Sequence, residues 1–217
     1  DSLDISLNGT TIERVESFDY LGLTIDEQLK FNFHIERVRS RIISTTFALK
    51  RIRPYITLHT ATQLYFQHIH SILLYLISCW STTTQSRVES LAVAQRKALR
   101  IIFERDYLFP SNQLFSAKIL PLDLLIQYQK LILTFKLINN LQRSNVQIRT
   151  RGEVTGRVTR QSNHLFFSTA QSRFGYNDFF RNGFDAYNKL PVNLKRISNL
   201  DVFKNDLKDY LYSSLML

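Results

Sequence analysis

Cysteine is almost missing: Cys79 is the one thiol among 217 residues. It has no partner for an internal disulfide, so the chain is no disulfide scaffold and suits a reducing compartment, expected to be intracellular, nuclear or cytoplasmic. Glycine is scarce as well, with six residues and no G-x-x-x-x-G-K-[ST] run, which leaves no phosphate-cradling loop of that kind. No G-x-S-x-G elbow supports a serine hydrolase. No two aspartates are adjacent. Two-metal phosphoryl-transfer chemistry needs carboxylates from neighbouring strands around ions about 3.5–4 Å apart. Asp19 and Asp26 lie at the start of and beyond one expected strand, and read as solvated edge carboxylates. A zinc site fares no better. His68 and His70 would point about 200° apart on a helix, and with Cys79 a fourth ligand is still missing. No cofactor or metal is therefore expected on this chain. Residues 54–86 lack Asp, Glu, Lys and Arg altogether. Their most apolar part, 64–80, is about the minimum length for a membrane span. Gln67, His68, His70 and Ser71 within it make a buried helix the better reading, with no membrane partner.

What is present is hydrophobic, aromatic and basic. At 44% hydrophobic, with 16 Phe and 10 Tyr, the chain can bury a sizeable core, and ordinary charge content argues against wholesale disorder. Asp1 in first place and an acidic, polar start without a signal-peptide pattern lead us to expect a fragment or processed product. A net charge of +10 and a pI near 9.8 favour an anionic partner. The distribution says more than the total. Residues 1–29 carry a net −6, residues 30–53 a net +6, residues 87–105 a net +3 and residues 143–160 a net +4.

Leu3, Ile5 and Leu7 alternate with polar residues up to Asn8-Gly9, a hairpin turn followed by a return strand through Ile12. Residues 18–25 read as another strand with Leu21, Leu23 and Ile25 on one face. From Phe31 the period becomes helical. Phe31, Ile35, Val38, Ile42 and Leu49 line a first helix that stops before Pro54. A second helix is expected over about 60–80, apolar around most of its circumference. A third spans about 87–104 with Val88, Leu91, Ala98, Leu99 and Ile102 inward. Ser111 is expected to cap a short helix through Lys118. Pro121 opens a fourth long helix ending near Leu141, with Leu124, Tyr128, Leu131, Phe135 and Ile138 buried. The Arg-rich stretch 143–162 reads as a linker or extended arm. The aromatic-rich tail, 163–217, ends in an amphipathic helix from about Leu200. The expected fold class is mainly α: a small amino-terminal β-hairpin/strand element, a bundle of about four long helices, a basic linker and a mixed tail.

The order of these segments resembles the end of LINE-type, non-LTR retrotransposon reverse transcriptases of the jockey-like and CR1-like kind. Val15-Glu16-Ser17-Phe18-Asp19-Tyr20-Leu21-Gly22-Leu23-Thr24-Ile25-Asp26, then Leu29 and Phe33-His34-Ile35, is similar to the family's F-x-Y-L-G-[VI]-x-[IL]-D … H-I run. Ala48-Leu49 to Arg53 and Leu73-Leu74-Tyr75 with Trp80 follow in order. Gln95-Arg96-Lys97-Ala98-Leu99-Arg100-Ile101-Ile102 is similar to Q-[RK]-x-A-[LI]-R-x-I. Leu114-Phe115 with Ile119-Leu120-Pro121, and Ala186-Tyr187-Asn188-Lys189-Leu190-Pro191 with Phe203-Lys204 and Leu207-Lys208, complete the series. Tyr187 stands where the family usually has Trp. The resemblance implies that residues 1–29 end a palm and primer-grip element and 30–142 form a helical thumb, with 143–162 linking to a tail. It also implies that the paired Mg²⁺-binding aspartates lie upstream, so the chain alone should not polymerise.

Nucleic-acid contact is the chemistry the residues support best. Arg37, Arg41, Ser44, Ala48 and Arg51 fall on one stripe of the first helix, more than about 80° from its core stripe. Small residues between long cations allow close approach to a phosphate backbone, and guanidinium suits bidentate phosphate contact. Arg96, Lys97 and Arg100 are expected together on the exposed side of the third helix. The resemblance carries Tyr20, Leu21 and Gly22 over as a primer-grip turn. The expected partners are an RNA–DNA or RNA template–primer duplex and the upstream polymerase domains. Alternatives are a stand-alone α-helical interaction module whose apolar helices dock a protein, or a relic without function. In either of those the basic faces would be merely solvated.

Overall fold

The change of hydrophobic period near residue 31 is a change of structure. In the computed structural model, which describes residues 5–116, 118–143, 148–167 and 178–215, short antiparallel ribbons precede a helical body. The fold is mainly α, with a few short strands. β1 (Ser6–Leu7) and β2 (Thr10–Thr11) pair Leu7 with Thr10 around Asn8-Gly9, both at positive φ, the turn expected of that dipeptide. Residues 18–25 are not one strand. β3 (Ser17–Tyr20) and β4 (Leu23–Asp26) form a second hairpin in which Tyr20 opposes Leu23. Its two-residue turn is Leu21-Gly22, with φ of 49° and 79°. Gly22 takes that conformation without cost, and the turn moves Leu21 off the expected apolar face into solvent.

Helix α1 (Asn32–Ile52) buries Ile35, Val38, Ile42 and Leu49 and stops at the Arg53-Pro54-Tyr55 turn. It packs chiefly on α5 (Gln85–Ile102), whose Val88, Leu91, Ala98, Leu99 and Ile102 are buried as expected. Arg53 joins the two helix ends. Its Nε donates to the Ile102 carbonyl at 2.7 Å and its Nη2 meets Glu104 at 3.2 Å.

The expected second helix is broken. α2 (Leu58–Tyr65) runs into a π-helical turn (Phe66–His70), then α3 (Ser71–Leu74), then a break before α4 (Ile77–Trp80). The buried positions explain it: Ala61, Tyr65, Ile69, Leu73 and Ile77 recur at a strict spacing of four. On a regular helix each such step overshoots a full turn by about 40°. A wider π turn and a break with Leu76 at φ 48° bring the stripe back to one core. The break frees the Tyr75 carbonyl, and the buried Trp80 indole donates to it at 2.9 Å.

A second polar hub crosses the core. Fully buried Gln95 donates through Nε2 to the Tyr65 hydroxyl (2.9 Å) and the Leu120 carbonyl (3.0 Å), joining α2, α5 and the approach to the next helix. The segment expected as a helix through Lys118 is only a 3₁₀ turn (Ser111–Leu114), residue 117 lying outside the described residues. The Ser111 hydroxyl does not cap it, because it accepts from Arg100 at 2.9 Å. α6 (Leu122–Ile138) has Pro121 one place earlier than expected, as its cap. It ends at Ile138, where Asn140 turns left-handed and Leu141 N–H reaches back to the Lys136 carbonyl.

The stretch 143–162 is not wholly an extended arm: β5 (Arg149–Thr150) pairs with β6 (Leu165–Phe166) and leads into α7 (Arg151–Thr155), opened by a Thr150/Glu153 capping box and ended by left-handed Gly156. The tail adds α8 (Phe179–Lys189), α9 (Val192–Lys195) and α10 (Leu200–Ser213). One hydrophobic core runs from Leu23 to Leu211, with Phe203 of α10 stacked on Phe135 of α6 at 4.2 Å. No helix among the described residues is long and apolar enough to cross a membrane.

His70, half-buried in the π turn, sets its ring edge-on to Phe66 at 5.2 Å. Burial, then the Lys208 charge on α10, pushes its pKa down to about 4. The unfolded chain therefore binds the proton first. The stabilising neutral ring is fully effective above about pH 6.5 and is lost as pH falls toward 4. Urea denaturation should show about 2 kcal/mol of this loss between pH 6.5 and 4.5. His70→Gln should flatten that part of the profile, and an unaltered profile in the variant would rule the assignment out.

Candidate nucleic-acid interface

The β3–β4 hairpin is set against the helices by a carboxylate. Asp26, at the end of β4, is buried, and its Oδ1 and Oδ2 each accept a backbone N–H, from Lys30 and Asn32, both at 2.8 Å. Asp26 is therefore not the solvated edge residue expected; it organises the turn that carries the chain into α1. Asp19, on the outer strand, is half-exposed and pairs with Arg37 of α1 at 2.8 Å. That guanidinium holds its carboxyl below the usual range. At the hairpin tip the Tyr75 hydroxyl donates to the Leu21 carbonyl. The Gly22 backbone lies against the Tyr75 ring, which an added Cβ would approach to 3.5 Å. Three contacts thus fix one small ribbon to two helical segments.

Between them opens a cleft of about 370 Å³ lined by Gly22, His34, Arg37, Arg41, Ile72 and Tyr75, among others. Turn and arginine stripe, separate expectations from the sequence, meet here. Tyr20 and Leu21 stand exposed beside it. Arg37, Arg41, Ser44, Ala48 and Arg51 are all exposed along α1. From Arg37 to Arg51 the helix rises about 21 Å, roughly the axial rise of six phosphates on one strand. Arg41 and Arg51 have no side-chain partner among the described residues, so the stripe offers unneutralised charge.

The third-helix cations do not share one exposed side. Lys97 is exposed, but Arg96 is half-buried and paired with Glu89. Arg100 leans on the following loop, bonded to Ser111 and lying 5.6 Å from the centre of the Tyr107 ring. Lys97 and Arg100 border a groove of about 340 Å³ with Phe47 and Lys50 of α1. The sequence reading missed His34 and Tyr75 as site residues. Both stood in the motif runs quoted above, as His34-Ile35 and Leu74-Tyr75, without a role. Among the described residues no group of three or more His, Cys, Asp and Glu side chains is placed to hold a metal.

Over 107 residues the chain is 28% identical to a protein of Drosophila melanogaster described as "Probable RNA-directed DNA polymerase from transposon BS". The similarity supports a reverse-transcriptase relationship. The match covers 48% of this chain and only 12% of that protein's length. No protein-family profile and no solved structure matches the chain.

Because Asp26 serves two amides at once, Asp26→Ala should cost about 2–3 kcal/mol, read as a lower urea midpoint. Amide exchange at residues 18–25 should quicken as the ribbon loosens from α1. Unchanged exchange there would show that the hairpin is held by other contacts.

Proposed function

We propose that the chain is the primer-grip, thumb and tail portion of a LINE-like, jockey/CR1-type reverse transcriptase, and that it holds a template–primer duplex without reading its sequence. The observation that carries this reading is the exposed arginine stripe of α1, whose amino-terminal end shares a cleft with the Leu21-Gly22 turn. On this reading 1–29 closes the palm side, 30–142 is the thumb, 143–162 the connecting segment and 163–217 the tail. The contacts are to phosphates, which position a duplex and carry no base information.

Catalysis would belong to upstream polymerase domains that this segment partners. The parent enzyme would need Mg²⁺, and the residues here do not fit it. Both Asp26 oxygens are taken by backbone N–H groups, and Asp19 is engaged by Arg37. No step of nucleotide addition is assigned to this chain.

If Arg37, Arg41 and Arg51 each meet a phosphate, changing all three to Gln removes about three cation contacts. The slope of log affinity against log salt on an RNA–DNA duplex should then shrink by roughly two to three units. Lys97→Gln should add up to about one more. The loss should be similar across template sequences. Stability should barely move, since the one ion pair broken is exposed. An unchanged slope with unchanged affinity would sink the reading in favour of a protein-interaction module.

A further inference from the structure

The cleft beside the hairpin tip holds more donors than the protein uses. His34 lines it and is 3% exposed. Its Nδ1 accepts the Thr24 backbone N–H at 3.4 Å, so the neutral ring carries its proton on Nε2. That Nε2 is buried and has no partner among the described residues. A buried donor without an acceptor is rare in a native fold, and an absent ligand is one physical reason for keeping it. Arg41 lines the same cleft with no acceptor among the described residues. Arg37 lines it too, and only its Nη2 is engaged, by both Asp19 oxygens at 2.8 and 3.1 Å. No carboxylate is among the lining residues, and Val38, Ile72 and the Tyr75 ring give apolar walls that strengthen a charge contact.

We propose that this cleft binds the terminal phosphate of a nucleotide, and that Asp19 is its resident competitor for Arg37. A phosphomonoester presents three acceptor oxygens and nearly two charges. It matches donors on three residues better than an internal phosphodiester, which has two non-bridging oxygens and one charge. The roughly 370 Å³ of space leaves room for the attached nucleoside against the apolar wall. The Asp19–Arg37 pair is half-exposed on both sides, so exchanging carboxylate for phosphate costs little. This deepens the duplex-holding reading by giving it a strand end to recognise.

The test uses the full chain and one RNA–DNA duplex bearing a phosphate at its 5′ end, at its 3′ end, or at neither. A terminal phosphate should tighten binding by about ten- to a hundredfold, the equivalent of one further charge-assisted hydrogen bond. Asp19→Asn should enlarge that preference about threefold, by releasing Arg37. Arg41→Gln should abolish it. Arg51→Gln, about 15 Å along the same helix, should weaken all three duplexes alike and leave the preference intact. Equal loss of preference in Arg41→Gln and Arg51→Gln would mean bulk attraction and overturn the site. So would equal binding of the three duplexes by the wild type and by Asp19→Asn, even with the duplex reading intact. AMP against adenosine, followed by chemical shifts of the His34 ring, separates a free nucleotide from a strand end. It also decides the matter if no duplex binds. AMP-specific shifts that grow in Asp19→Asn would uphold the phosphate site though the duplex reading had failed, and identical responses to AMP and adenosine would overturn it.

Discussion

Asp26 accepts the backbone N–H groups of Lys30 and Asn32, and with them fixes the angle at which the β3–β4 ribbon leaves α1. The chain between has no room for slack. Leu29 and Phe31 are both left-handed, and Phe31 is the residue from which α1 starts. Without that acceptor the Asn32 amide would be an orphan of the helix start, and the Lys30 amide just before it would lose its partner too. With it, the ribbon lies where Asp19 reaches Arg37 and the Leu21 carbonyl reaches Tyr75. The remaining contacts at this end follow from that one placement.

The formal charge of +10 overstates what the surface can offer an anion. Arg53 is spent joining the ends of α1 and α5, Arg100 bracing the loop before α6, and Arg96 on Glu89. Arg39 faces Glu36 within one turn. Among the described residues Arg41, Lys50 and Arg51 remain without a side-chain partner on α1, and Arg37 sits in a half-exposed pair. Charge alone favours the segment of α1, net +6, over that of α5, net +3, but does not say which side chains are free. The distinction lies in where each side chain finds a carbonyl or carboxylate: Arg96 and Arg100 of α5 brace the fold, while Lys97 of α5 and the outer stripe of α1 stay exposed.

The same distinction marks what the sequence could show. The stripes of α1 and α5 and the start of α10 were legible because one apolar face recurs at helical spacing with little interruption. The Asn8-Gly9 turn was legible from its dipeptide. The Leu21-Gly22 turn was hidden, because Leu at its first position continues an apparent apolar alternation. The break at residues 75–76 was hidden because no Gly or Pro marks it, although the strict spacing of four on its buried face demands one. Ser111 looked like a cap because nothing local reveals that Arg100 takes its hydroxyl. At the site, cations could be read from a helical wheel, but the approach of His34, Tyr75 and Gly22 spans 53 positions of chain and depends on the Asp26 turn and the break together.

Several of these irregularities adjoin the cleft. Leu21, Leu29, Phe31 and Leu76 hold positive φ, a region that bulky side chains avoid at a cost of roughly 1–2 kcal/mol each. Leu21 and Leu76 adjoin residues that line the cleft, and Leu29 and Phe31 shape the turn that delivers α1 to it. The unpartnered His34 Nε2 lies at the same end. Of the long helices elsewhere, α10 starts from an Asn199 side-chain cap, whereas α5 and α6 start without one. Left-handed φ recurs away from the cleft at Asn8, Glu104 and Asn140, and Gln95 Oε1 and Arg100 Nε on α5 are likewise buried without a hydrogen-bond partner among the described residues. What sets the cleft end apart is that Leu29, Phe31 and Leu76, all left-handed, meet there with the Asp26 turn that delivers α1.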